Sequence, residues 1–524
     1  MSTIYLDYAA STPVDPRVVA AMVDCLANTP GNPASATHAP GLAAAGLVEA
    51  ARANVAALIG ATPREVIFTS GATESNNLAL LGVARAARRA GVARGHVLSS
   101  RIEHKSVLDT CKQLENEGFD VTLVEPDDTG RIQPATVTAN LRPDTVLVSL
   151  MLANNEIGVV SDIAAISALC RAREVLMHTD ASQAVGKLPV DVGQLGIDFL
   201  SLTAHKFYGP KGIGALYVRE SARPKIAPLQ FGGGHERGLR SGTLPTHQIV
   251  GFGVAAEISR AEGAADSAHA RDLATRLWRE LEPIPGIEFN GHSEHRVPGL
   301  INVSFAGVEG ESLIASLPGI AVSSGAACSS ATREPSYVLR SLGRTTELAQ
   351  SSLRLSLGRF TTAADVDEAA TTIRTEVARL RLLAGEGGIA ESTPADAFGD
   401  SLMTRTMSPL VRRYFRAPAR VRQFPQGSGP PDVRQGRAGR HSDGTHVSFE
   451  LKIADGIVKS ARFSAYGCPH TVAVTAWLCE VLEGSRLDAG PPGAPADWAR
   501  KFEVPAEKLG RLLIVEDALL AVFN

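Results

Sequence analysis

The chain has 524 residues, 44% of them hydrophobic and 20% charged, enough for more than one packed domain. Its formal net charge of −3 excludes a protein coated in basic surface for nucleic acid or anionic membrane. The N-terminus MSTIYLDYAAS has no basic-then-apolar leader, and no stretch offers about eighteen uninterrupted apolar residues, so neither a signal peptide nor a membrane span is expected.

From about residue 16 to 260, helical patterns alternate with short apolar runs: Glu65–Thr69, His96–Ser99, Val121–Val124, Thr145–Ser149, Val175–His178, Phe199–Ser201 and Gly214–Val218. Nearly continuous, β-branched runs separated by helices predict a mostly parallel α/β sheet covered on both faces. From about 265 to 383 the order becomes helix, short strands (Gly299–Ser304), then helices, which predicts a smaller α+β domain. Ala384–Gly399 lacks periodicity and is rich in Gly, Ala and Pro, as linkers are. The expected divisions are therefore 1–264, 265–383, a linker at 384–400, and a C-terminal α+β domain at 401–524. That last part shows strands at Val447–Ile453 and Ile457–Phe463 and an apolar helix near Thr471–Leu482. Within it, Arg405–Arg440 carries nine arginines and one acid, Asp432, and reads as a solvated, partly mobile segment, the alternative being a surface that docks an acidic partner. The six cysteines (Cys25, Cys111, Cys170, Cys328, Cys468 and Cys479) are scattered and form no CxxC pair. That suits a reducing, cytoplasmic setting.

The chemistry-bearing residues fall at the ends of the predicted strands, where ligands collect in open α/β sheets. Lys206, in Ser201–Gly212, can form a Schiff base with an aldehyde cofactor while Thr203 and His205 hold a phosphate. Thr69–Ser75 follows a strand and opens a helix, so the amides of Ala72 and Thr73 make an anion site. Asp180 ends the run Val175–Asp180 and suits a protonated pyridine nitrogen; Gln183 reaches the cofactor's phenolic oxygen. His104 can stack on the ring and carry protons near neutral pH. Each residue alone has a plainer reading: a surface lysine, a Ser/Thr cap, a helix-capping Asp, a structural His. Together they describe a pyridoxal 5'-phosphate site.

The first ~385 residues resemble the cysteine desulfurases of the class V aminotransferase superfamily, of the housekeeping iron–sulfur type. The stretches that carry the likeness include Tyr5–Ala10, Gly31–Ser35, Thr69–Asn77, Glu103–Lys105, Asn154–Gly158, His178–Gln183, Gly232–Arg237, Arg240–Pro245, Ser323–Cys328 and Ser351–Gly358. The resemblance implies a fold-type I homodimer with its site at the subunit interface. It implies that Thr243 reaches the phosphate bound in the other subunit, that Asn155 contacts cofactor and substrate, and that Arg354 binds the substrate carboxylate. The family nucleophile maps to Cys328, in a small, polar stretch unlike the surroundings of a buried structural cysteine. The implied reaction takes sulfur from L-cysteine, leaves alanine, and stores the sulfur as a persulfide on Cys328, with His104 as acid or base. The sulfur would feed iron–sulfur assembly, tRNA thiolation or thio-cofactors. Selenocysteine lyase, another class V enzyme, or a partner-binding platform are the alternatives.

Residues 408–524 resemble the U-type iron–sulfur scaffold, most clearly at Ala461–His470 and Lys508–Ala518. That family uses three cysteines and an aspartate. Here only Cys468 remains; Asp443, Thr445 and Arg511 stand at the other positions. One thiolate beside an arginine is a poor metal or cluster site, even with His441, His446 and His470 nearby in sequence, so no metal is expected. The readings open for this part are regulation, sulfur acceptance on Cys468, or cluster assembly with unconventional ligands.

Overall fold

In the computed structural model the described residues are 3–92, 94–324, 334–386, 407–421 and 433–523. First come β1 (Ile4–Tyr5), α1 (Pro16–Asn28) and α2 (Ala39–Leu58). The alternating part then runs β2 (Val66–Thr69), α3 (Ala72–Arg89), β3 (His96–Ser100), α4 (Lys105–Asn116), β4 (Asp120–Val124) and α5 (Pro134–Asn140). It continues through β5 (Thr145–Ser149), α6 (Ile163–Arg171), β6 (Leu176–Asp180), α7 (Val192–Leu195), β7 (Phe199–Thr203) and β8 (Gly214–Val218). These strands form one seven-stranded sheet in the order β2-β8-β7-β6-β5-β3-β4. Within it only β8 runs antiparallel to its neighbours. Every residue of β2, β3, β7 and β8 is buried, which is why these runs are apolar without alternation.

Helix α2 is the one described helix long and apolar enough to cross a membrane by length and composition. Seven of its residues are buried, and Arg52 on it makes a bidentate pair with the buried Glu236 at 2.7 and 2.8 Å. Those are the marks of a helix packed into a protein core.

Helix α8 (Thr246–Leu281) is 36 residues long, so the division expected at 264/265 falls inside one continuous element. After it come β9 (Ile287–Phe289), β10 (Leu300–Phe305), α9 (Gly310–Ala315), β11 (Ile320–Ala321), β12 (Ser323–Ser324), α10 (Tyr337–Ser341), α11 (Thr346–Gln350), β13 (Ser352–Ser356) and α12 (Ala363–Leu383). An antiparallel sheet, β12-β13-β10-β9, organises this part. Strand β1 pairs with β11, and Asp7 bridges Ser356, so the N-terminal segment runs along the small sheet before it enters the large one.

The C-terminal part contains α13 (Pro409–Arg416), β14 (Val433–Arg440), β15 (Thr445–Ala454), β16 (Ile457–Tyr466), α14 (Pro469–Leu482), α15 (Pro495–Phe502) and α16 (Leu509–Phe523). Its sheet is β14-β15-β16, all antiparallel. This corrects the reading of Arg405–Arg440 as a solvated, mobile segment: its described residues include helix α13 and strand β14. The arginines concealed both. Val411, Tyr414 and Phe415 bury one face of α13 while its arginines face outward. β14 is an edge strand, where exposed charge is favoured over β-branched residues. The small-domain elements and this C-terminal part share one hydrophobic core, which runs from Phe305, Leu313 and Leu380 through Phe449, Phe463 and Trp498.

Candidate active site

The parallel strands end on one edge of the large sheet, and the expected residues gather there. Lys206 follows β7 in a single 3-10 turn, and its Nζ donates to the carbonyls of Ala9 (2.6 Å) and Ala10 (2.9 Å). Gln183 donates to the same Ala9 carbonyl at 2.8 Å and accepts from Lys187 Nζ at 2.8 Å. Asp180 closes β6; its carboxylate accepts from the Ser182 amide (2.9 Å) and from Asn76 Nδ2 (2.8 Å). Thr203 is buried and donates to the Ile213 carbonyl. Burial, reinforced by Lys206, Lys211 and Lys187, pushes His205 down to about 4, so its ring is neutral near pH 7. Burial, then Lys206 and Arg354, brings Lys187 down to about 7.

His104 caps α4: its Nδ1 accepts from the Ser106 amide. Burial and the charge of Lys206 lower its pKa against the opposing pull of Asp180. Because Nδ1 accepts that amide it carries no proton in this arrangement.

Beside this cluster, Arg354 on β13 donates to the Asn155 carbonyl (2.8 Å), to Asp7 (2.9 Å) and to Ser323 Oγ (3.1 Å). Asp7 thus holds the guanidinium that a substrate carboxylate would use. Asn155 Oδ1 and Arg354 Nε are both buried and find no partner among the described residues. Helix α3 starts at Gly71 with no side-chain cap, so its first-turn amides, including those of Ala72 and Thr73, are left for an anion. A Cβ on Gly214 would stand 2.7 Å from Gly71, so the glycine on β8 lets this turn close onto the sheet.

Pyridoxal phosphate fits this set. The amine of Lys206, the carboxylate of Asp180 and the uncapped turn of α3 match its aldehyde, pyridine nitrogen and phosphate. The two orphaned polar atoms await a polar molecule of that kind.

Thr243 stands apart: it is exposed on the loop before α8. Cys328 lies outside the described residues. Cys468 belongs to another region altogether. It is fully buried at the start of α14, with Sγ 3.4 Å from Thr471 Oγ1. Arg511 feels the charge of Cys468, so two of the family's ligand positions lie near each other, and a Cβ on Gly444, between Asp443 and Thr445, would stand 3.8 Å from the Arg511 guanidinium. Arg511, however, is turned onto the small domain, with Nη1 3.0 Å from Glu309 and Nη2 3.7 Å from Glu311. Lys508 joins it at 2.7 Å from Glu311, and Ser312 Oγ donates to the Gly467 carbonyl beside Cys468. Among the described residues no group of three or more His, Cys, Asp or Glu could hold a metal ion.

Sequence reasoning missed Asn76, Ser106, Asp7 and Lys187. Asp7 and Asn76 sat inside stretches quoted for the resemblance, but nothing in one sequence gives their contacts. It also missed two buried acids: Glu103, pushed up to about 8 by burial, and Glu156, pushed up to about 7.

Residues 4–369 match the family described as Aminotransferase class-V, and residues 413–522 match the NifU-like N terminal domain. The cysteine desulfurase IscS of Aeromonas salmonicida is 56% identical over 380 residues, covering 72% of this chain and 93% of that one. This chain belongs to the cysteine desulfurase family. The Escherichia coli IscS is 54% identical over the same span of 380 residues. Among solved structures, a NifS-like protein aligns with this desulfurase at a TM-score of 0.67 and 36% identity, covering 72% of this chain and all of the other. A structure described as SspA in complex with cysteine aligns at 0.60 and 38% identity, covering 68% of this chain and 99% of that one. The desulfurase is a pyridoxal-phosphate enzyme of fold type I, fused to a NifU-like domain.

Proposed function

We propose that this desulfurase releases L-alanine from L-cysteine and keeps the sulfur as a persulfide on Cys328 for iron–sulfur cluster assembly. The observation that carries the reading is Lys206 at the end of β7, with Asp180 closing the neighbouring parallel strand β6. Bound pyridoxal phosphate supplies an electron sink for charge developing next to the substrate's amine. Lys206 holds the aldehyde and then carries the proton at the substrate Cα. Asp180 keeps the pyridine nitrogen protonated. Arg354 takes the substrate carboxylate from its resting partner Asp7. The Cys328 thiolate attacks the substrate sulfur: an S–S bond forms, the substrate C–S bond breaks, and the substrate carbon takes a proton. Cysteine plus the Cys328 thiol thus becomes alanine plus the Cys328 persulfide.

The working unit in this reading is a homodimer in the cytoplasm. Support for the dimer comes from apolar side chains left outside: Val19, Val23 and Leu26 on α1, Leu42 and Leu47 on α2, and Phe231 at 74% exposure. The exposed Thr243 is then available to the phosphate bound in the other subunit. Support for the compartment comes from the described cysteines, all free thiols. The NifU-like domain acts docked rather than as a cluster scaffold, because Arg511 stands at a ligand position and is spent on Glu309 and Glu311.

The test is peptide mass spectrometry after brief exposure to L-cysteine, with alanine measured in parallel. A gain of one sulfur on Cys328, abolished in Lys206→Ala, is expected. Alanine formation with no sulfur on Cys328 refutes the persulfide assignment, and no alanine refutes the activity.

A further inference from the structure

Behind Asp180 the hydrogen bonds lead to two residues that the proposed reaction does not use. Asn76 lies one turn into α3 and is completely buried. Its Nδ2 donates to Asp180 Oδ2 at 2.8 Å and to Ser106 Oγ at 2.9 Å. Chemistry fixes the amide's orientation, since a carboxylate has no proton to give and the atom facing it is the nitrogen. Asn76 Oδ1 is buried and has no partner among the described residues. An apolar side chain would fill this place without that unmet acceptor, so the two donations are what the amide contributes.

Ser106 accepts from Asn76, which leaves its own proton for His104 Nδ1, 2.9 Å away. The Ser106 main-chain N–H points at the same nitrogen at 3.1 Å. Nδ1 therefore accepts twice and carries no proton. The hydrogen of the neutral ring sits on Nε2. Charging the ring would put a proton on Nδ1 and break both bonds. The charged groups that act on the ring are Asp180, Lys206 and, on its own helix, Asp109; burial and Lys206 lower its pKa and the two acids oppose them.

We propose that Asn76 and Ser106 are positioning residues that couple the two sides of the cofactor site. Asn76 fixes the Asp180 carboxylate, and Ser106 locks His104 as the neutral Nε2–H tautomer. His104 then meets the substrate as a hydrogen-bond donor and acid, and from the resting state it cannot serve as a base through Nε2. The inference rests on the reading of this cluster as the pyridoxal-phosphate site.

The experiment is nitrogen NMR of the holoenzyme with labelled histidine, the His104 signals being assigned against His104→Gln. It is paired with a pH titration of the bound cofactor's visible absorption. In the native protein His104 shows an unprotonated Nδ1 and a protonated Nε2 across pH 6 to 8. In Ser106→Ala the two nitrogen signals move towards each other, since only the main-chain donor to Nδ1 is left, the pH at which the ring takes its second proton rises in the NMR titration, and Ser106→Thr restores both. In Asn76→Leu the pH midpoint of the cofactor band shifts while Lys206 remains attached. A proton on Nδ1 in the native enzyme overturns the proposal. So does a Ser106→Ala enzyme with native tautomer and native NMR titration. If Ser106→Ala does not fold, Ser106→Cys gives the same readouts. A native protein with no cofactor band refutes the reading of the site instead, and the tautomer can still be measured.

Discussion

Replacing Arg511 by alanine tests the fastening between the NifU-like domain and the desulfurase. Arg511 is 16% exposed and Glu309 9%, at 3.0 Å from each other, so solvent screens this pair little. Burial already pushes the Glu309 pKa up, against the pull of Arg511. Removing the guanidinium leaves a buried carboxylate whose remaining bonds include the Ser312 amide at 2.8 Å. Breaking a buried pair from one side costs about 3–5 kcal/mol. At about 1.4 kcal/mol per factor of ten, the lower figure raises the undocked population roughly a hundredfold. Cys468 reports that population. It is fully buried, and the neighbouring Gly467 is bonded to Ser312 across the interface, so the thiol reacts only when the contact opens. The assay is the rate of iodoacetamide labelling at Cys468 in the full chain, read by peptide mass spectrometry, beside urea unfolding followed by tryptophan fluorescence. Arg511→Ala should label at least tenfold faster and unfold at lower urea. Adding Glu309→Gln should recover most of the loss, since no lone charge remains. Native labelling and a native midpoint in Arg511→Ala would refute the argument that this pair fastens the domain.

Glu103 gives a stability signature in pH. Its pKa rises from 4.5 to about 8, so its protonated form stabilises the fold fully below pH 4.5, and that contribution is lost as pH rises through 8. Glu103→Gln keeps an acceptor for Ser100 and Met151 and never ionises, so its unfolding free energy from urea titrations should overtake the native one as pH climbs from 5 to 9, by up to roughly 4 kcal/mol; parallel curves of stability against pH exclude the effect. Arg354→Lys should cut kcat/KM for L-cysteine about 10–100-fold, mostly through KM, because one ammonium cannot replace a charge-assisted fork. Gly358→Ala should destabilise by about 1–3 kcal/mol in chemical denaturation, since overpacking forces movement, and its Cβ would stand 2.3 Å from the buried Tyr8 ring and 2.6 Å from Tyr208 Oη.

Much of the fold is written in local pattern. The seven apolar runs of the large sheet all became strands, because burial on both faces leaves little room for other residues. Lys206, Asp180 and His104 were legible because strand ends are where chemistry collects. The contacts that tune them were not. Asn76 reaches Asp180 across 104 residues, and Arg354 reaches Asp7 across 347, distances over which one sequence carries no pairing signal. Strand β14 was hidden for another reason: edge position and arginine content suppress the alternation that marks buried strands. The orientation of Arg511 was unreadable too, since its partners Glu309 and Glu311 belong to the other family's part of the chain.

The shared core has a consequence for supply. Two separate proteins of these families would meet by diffusion, and their ratio would follow their synthesis. Here Leu380 and Leu383 of α12 lie in the same apolar mass as Phe463 and Trp498. A chain cut between the two parts would leave both halves with bare hydrophobic faces. Each desulfurase domain is therefore accompanied by one NifU-like domain at any dilution, since the covalent link holds the effective concentration constant. Stoichiometry, elsewhere a matter of expression, is fixed here by the chain itself.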